Sequence, residues 1–143
     1  MRQTRRVPTL WFALALGLGA CASVGPPPTS APAYRPVDES HPGAKLVLGA
    51  PDLWGRVIVA EPQLRKQGAL TEAGVAVQNL SGGTYVLEYL FEWEDASGFT
   101  VDDVKVWRRF TLTPHQISKF TSMGPSPDAA RMTFTIRYPE STF

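Results

Sequence analysis

From Lys45 onward, apolar and polar side chains alternate with a period of two, and the segment "RMTFTIRY" shows it most cleanly. Met132, Phe134, Ile136 and Tyr138 fall on one face, while Arg131, Thr133, Thr135 and Arg137 fall on the other. That spacing predicts a half-buried β-strand. In "TYVLEYLFEWE", Tyr85, Leu87, Tyr89, Phe91 and Trp93 share one face, against Val86, Glu88, Leu90, Glu92 and Glu94. "GRVIVAE" and "AGVAVQN" predict shorter strands centred on Val57/Val59 and Val75/Val77. Turn signals separate these runs: "NLSGG", "DASG" with Gly98 suited to a left-handed position, and "TPHQ" with Pro114 preset for a corner. About seven short strands at such spacings predict an all-β fold, an antiparallel β-sandwich occupying residues 45–143.

Residues 22–44 read "ASVGPPPTSAPAYRPVDESHPGA" and have no periodic apolar face. Their prolines remove backbone donors and bias the chain toward polyproline II, so residues 21–44 are expected to form a disordered Pro-rich tether. Fully extended, it reaches up to about 70 Å. Deleting residues 26–42 is accordingly expected to leave the stability of the sandwich almost unchanged.

The N-terminus differs again. Arg2, Arg5 and Arg6 form a positive segment without acidic residues, followed by an apolar run from Leu10 to Leu18 and the small residues Gly19 and Ala20. The run is too short for a spanning helix, which needs about 20 apolar residues. Residues 1–20 therefore read as a cleaved secretory signal peptide. "LGAC" (Leu18 to Cys21) resembles the bacterial lipobox, and Cys21 is the only cysteine in the chain. Its sulfur is the expected attachment point of diacylglycerol, with a further acyl chain on the new N-terminus and no other cofactor. Several chains on one residue make a durable tether, whereas one gives only marginal binding. Ala22 and Ser23 follow the cysteine without an aspartate that would retain the chain at the inner membrane. The expected location is the periplasmic face of the outer membrane.

Charge narrows the partners. Of the 14 Lys and Arg residues three leave with the signal, so 11 face 13 Asp and Glu in the mature chain. A balance slightly on the acidic side predicts no nucleic-acid partner.

Catalytic chemistry finds little material. His41 falls in the proline-rich segment and His115 in a turn, and no cysteine nucleophile is available once Cys21 is acylated. Glu88, Glu92 and Glu94 are expected to solvate the outer face of their strand, and the chain is read as a non-enzyme. His115, Met123 and Met132 recur as soft-metal ligand types, which keeps a copper-type carrier open as an alternative. Met132, in phase with Phe134 and Ile136, is expected in the core. Trp107, beside Arg108 and Arg109, is the candidate partner contact, because Trp and Arg are enriched at interface hot spots. In an unbroken strand Trp107 points outward with Arg109. A β-bulge near Arg108, the favoured expectation, turns it inward.

Asn79, Ser81, Tyr89, Phe91, Trp93, Asp95, Gly98, Trp107 and Pro114, in this order behind a lipobox, resemble the YcfL-type family of small bacterial lipoproteins. The resemblance implies an immunoglobulin-like sandwich on a lipid tether. It also implies a cell-envelope partner, such as the peptidoglycan-synthesis machinery, for a non-enzymatic binding or scaffolding module. A periplasmic ligand or metal carrier is the other reading.

Overall fold

The computed structural model describes residues 37–60, 62–101 and 104–140. Cys21 and the signal peptide lie outside the described residues, as does the tether up to residue 36. The strands are β1 (Val37–His41), β2 (Ala44–Leu48), β3 (Val57–Val59), β4 (Gln63–Gln67), β5 (Leu70–Asn79), β6 (Tyr85–Glu94), β7 (Arg108–Leu112), β8 (Ile117–Met123) and β9 (Arg131–Arg137). One 3-10 turn, Pro51–Leu53, links β2 to β3.

They form the expected two-sheet sandwich. The first sheet runs β1-β2-β9-β6-β7; in the second, β5 pairs with β3 and β4 along one edge and with β8 along the other. All pairings are antiparallel except β2 with β9, which run parallel from Ala44↔Met132 to Leu48↔Ile136. That parallel pair places the first and last parts of the domain side by side.

Residues 37–44 depart from the tether expectation. Val37 pairs with Val47 and His41 with Ala44, so β1 and the start of β2 belong to the sheet. "VDESH" is polar because β1 is an outer strand held by backbone pairing rather than by burial. The polar "QLRKQ" of β4 follows the same logic. Between Val59↔Val77 and Gln63↔Gly74 the outer strand takes four steps and β5 three, which is a one-residue bulge. Pro62, which has no amide hydrogen to offer a ladder, sits in it.

The core lies between the sheets, and the alternation predicted for β6 and β9 holds for Leu87, Trp93, Met132, Phe134 and Ile136, all buried, but not for Tyr138, which falls past the end of β9 and is exposed. Trp93 crosses to the opposite sheet, donating its indole N–H to Ser122 Oγ at 3.2 Å. Gly124 makes room for it; a Cβ there would stand 2.6 Å from Ala129 Cβ and 3.5 Å from the Trp93 ring. Toward β7 and β8 the core ends in an aromatic seam, with ring centroids 4.4 Å apart for Tyr89–Phe120, 4.8 Å for Phe110–Phe120 and 4.7 Å for Phe91–Phe134.

Two stability predictions follow from this packing. Trp93→Ala removes the largest buried side chain, and the lost transfer energy plus the cavity cost about 3–5 kcal/mol, read from the denaturation midpoint. A near-native midpoint would mean Trp93 is not the keystone of the core. Deleting residues 26–42 takes β1 away and lowers the melting temperature by several degrees, whereas deleting 26–36 spares β1 and leaves it unchanged. Equal midpoints for the two deletions would show that β1 contributes nothing.

Candidate contact surface

Asn79 organises the end of the sandwich where β5 turns into β6 and β7 turns into β8. It is buried, and its Nδ2 donates to the carbonyls of Gly83 (2.7 Å) and Thr113 (2.9 Å), with Leu112 at 3.4 Å. Its Oδ1 accepts from Ser81 N–H and Ser81 Oγ, both at 2.9 Å. Ser81 Oγ in turn meets the Tyr85 hydroxyl at 2.9 Å, and this contact is the main cause holding the Tyr85 phenol below its usual range. Nearby in charge, Tyr138 donates to Asp52 Oδ2 at 2.8 Å; burial first, then Asp52, pushes it up to about 12.

The path from β6 to β7 decides where Trp107 goes. Asp95 Oδ1 accepts the amide hydrogens of Ser97 (2.8 Å) and Phe99 (3.0 Å), and Gly98 takes the positive φ of 89° that closes the turn. Glu94 then bridges Thr100, and Tyr89 pairs with Arg108 further on. Between those pairs β6 takes five steps and the returning chain eight, so three extra residues are absorbed upstream of β7. No bulge occurs at Arg108, and the expectation of an inward Trp107 is corrected. The ladder is regular from Arg108 onward, and Trp107 stands just before it.

Its contact with Arg137 puts Trp107 on the outer face of the first sheet, where it is half-buried rather than free. The guanidinium carbon of Arg137 lies 3.7 Å from its ring centroid. Arg137 is itself held by Glu88 (3.7 Å) and by Glu140. Arg109 pairs with the same Glu88 at 3.2 Å, and Lys105 with Glu92 at 2.6 Å. The glutamates expected to solvate this face thus hold cations over it. Leu90 beneath them is only 3% exposed.

Arg108 points the other way. It lines a groove of about 300 Å³ with Tyr89, Phe91, Val106, Thr121 and Met123, at the mouth of the aromatic seam. Trp107, Arg108 and Arg109 therefore do not form one patch. The exposed apolar surface that sequence reasoning missed lies just before them: Phe99 is 73% exposed and Val104 68%, with Val106 also exposed. Phe99 stands on the Asp95 turn itself, and Val104 and Val106 fall between Thr100 and the start of β7.

On the opposite side, an open groove of about 1060 Å³ separates β1 and β2 from β3 and β4, lined by His41, Leu46, Ile58, Val59, Pro62 and Leu64 among others. His41 stands at the end of β1 rather than in a tether, and His115 occupies the turn after β7 with φ 58°. The two lie at opposite edges of the sandwich. Met132 is buried in the core as expected. Among the described residues, no three His, Cys, Asp or Glu side chains group to hold a metal ion.

These features define a β-sandwich with a filled core and open lateral edges. The chain belongs to the family described as "Protein of unknown function (DUF1425)", whose model matches residues 44–138. Its structure is similar to a DUF1425 family member from Shewanella sp. pv-4, at 25% identity and a TM-score of 0.55, covering 60% of this chain and 81% of that one. It also resembles the fold of Campylobacter jejuni cj0090, at 20% identity and a TM-score of 0.56, covering 66% and 97% respectively. No curated protein matches.

Because Trp107 is stacked under Arg137 but not enclosed, Trp107→Ala is expected to cost about 1–2 kcal/mol, well short of Trp93→Ala. Arg109→Ala, which removes an exposed ion pair, is expected to cost less than about 1 kcal/mol. Chemical denaturation of the variants side by side checks the order; a Trp107 loss equal to that of Trp93 would place it in the core.

Proposed function

We propose that this DUF1425 protein is a YcfL-type, non-enzymatic binding or scaffolding lipoprotein. It is anchored through Cys21 to the periplasmic face of the outer membrane, where it serves a cell-envelope complex such as the peptidoglycan-synthesis machinery. The observation that carries the contact role is the exposure of three large apolar side chains between β6 and β7: Phe99 on the turn pinned by Asp95, and Val104 and Val106 in the segment leading into β7. Large apolar side chains left exposed within one short segment are candidates for an interaction site. The lipobox and the signal-like N-terminus support the location. A ligand carrier is the second reading, favoured by the apolar-walled groove beside His41, whose Nδ1 is buried without a partner.

Two measurements test the proposal. Cys21→Ser is expected to abolish lipid labelling and release the protein from membranes; wild-type fractionation of that variant would rule out the lipid as the anchor. A photo-crosslinking residue at Phe99 or Val104 is expected to give an adduct of discrete mass in cells, and the same residue at Lys66 on the far edge is not. Equal adducts at all three positions, or none at Phe99 and Val104, would remove the contact role from this surface.

A further inference from the structure

We propose that β8 is a self-association edge, on which a second copy of this chain pairs antiparallel in a register centred on Phe120. The sandwich has open edges along β1, β3/β4, β7 and β8. Exposed edges template unwanted pairing, and proteins blunt them with charge, proline or bulges. β1 carries Asp38 and Glu39; the β3/β4 edge has its bulge, Pro62, Arg65 and Lys66; β7 begins with Arg108 and Arg109. β8, "ISKFTSM", has Lys119 alone, with Ile117 58% and Met123 40% exposed near its two ends.

The direction of its free backbone groups can be read from the ladder. Asn79 N–H donates to Gln116 O at 2.9 Å, and Gly124 N–H to Thr71 O at 2.7 Å. Hydrogen-bonding direction alternates along a strand, so the even-numbered residues of β8 bond to β5. Ile117, Lys119, Thr121 and Met123 therefore aim their amides and carbonyls at the open edge, and no backbone partner takes them up among the described residues. The same four side chains are exposed on the outer face, while Phe120 faces the core.

Two-fold pairing about Phe120 sets Ile117 opposite Met123 of the second copy, and Lys119 opposite its Thr121. Every outward residue then enters a bonded pair, giving about eight backbone hydrogen bonds. The exposed apolar side chains cover one another, and no charge meets its like. Centring the seam on Lys119 instead opposes two ammonium groups, which is destabilising, and strands Met123. A two-fold axis through Thr121 leaves Ile117 without a partner. The strand is thus complementary to a second copy of itself in this one register.

The test uses the full-length chain, with Lys119→Cys and Thr121→Cys carried on separately tagged, co-expressed copies and mild oxidation of the extract. Directly bonded pairs have Cα atoms about 5.5 Å apart, within reach of a disulfide. The mixed 119–121 disulfide is expected several-fold above either self-disulfide, with the parent chain as the control for Cys21. A dominant 119–119 link, adducts to a foreign chain only, or no dimer would each overturn the proposal. Adding Ile117→Lys with Met123→Lys to both copies is expected to abolish the link, and Ile117→Glu with Met123→Lys to retain it. Equal yields from those two backgrounds would also overturn it. Unchanged melting curves for both, expected at such exposed positions, show that the fold is not what was lost.

Discussion

A single buried amide holds the two sheets in a fixed relation. Asn79 ends β5, the central strand of one sheet, and donates to carbonyls from the β5–β6 turn and from the β7 end of the other. Its oxygen ties Ser81, and its backbone N–H reaches Gln116 at the start of β8. Unpaired buried polar groups are costly, so an arrangement that satisfies them all has few alternatives. With no cysteine beyond Cys21 in the chain, no disulfide can staple the sheets together, and this network does that work at one end. Because it closes the turn into β6, it also sets which β6 residues face inward.

Everything along β6 follows from that phase. Tyr85, Leu87, Tyr89, Phe91 and Trp93 go toward the core, and Glu88, Leu90 and Glu92 go out. The outward set then needs a cover for Leu90, and the returning chain supplies one. Lys105 and Arg109 meet Glu92 and Glu88, and Trp107 lies between them under Arg137. A face that alternation alone marks as wet is closed by ion pairs and one stacked ring. The exposed apolar trio is the other side of the same geometry. Between Thr100 and Arg108 the returning chain has three residues more than β6 can match, and Val104 and Val106 lie in that stretch.

This division explains what was legible in the sequence. Strands that bury one face write their phase into the residue pattern, so Trp93, Met132 and Phe134 could be placed from alternation alone. β1 and β4 bury little and are held by backbone bonds, which are blind to side-chain type; their "VDESH" and "QLRKQ" therefore carried no strand signal. The direction of Trp107 depended on where three surplus residues were absorbed, a question of register between distant segments that no local pattern records. Arg108 and Arg109 looked like one basic patch because they are neighbours in sequence. In a strand, neighbours point to opposite faces.

The residues on which the family resemblance rests turn out to have folding roles almost throughout. Asn79 and Ser81 make the inter-sheet tie, Trp93 fills the core, and Asp95 and Gly98 shape the turn after β6. Residues that specify a scaffold constrain its shape without assigning a partner. Whatever distinguishes this chain from its relatives in binding must then reside in side chains the scaffold does not need, and those sit along one lateral side: Phe99, Val104 and Val106 before β7, and Ile117 and Met123 on β8. That β7 and β8 are joined by the short turn held by Asn79 brings both groups to the same side of the sandwich. The constraint that assembles the core therefore also decides where the molecule presents its exposed apolar side chains.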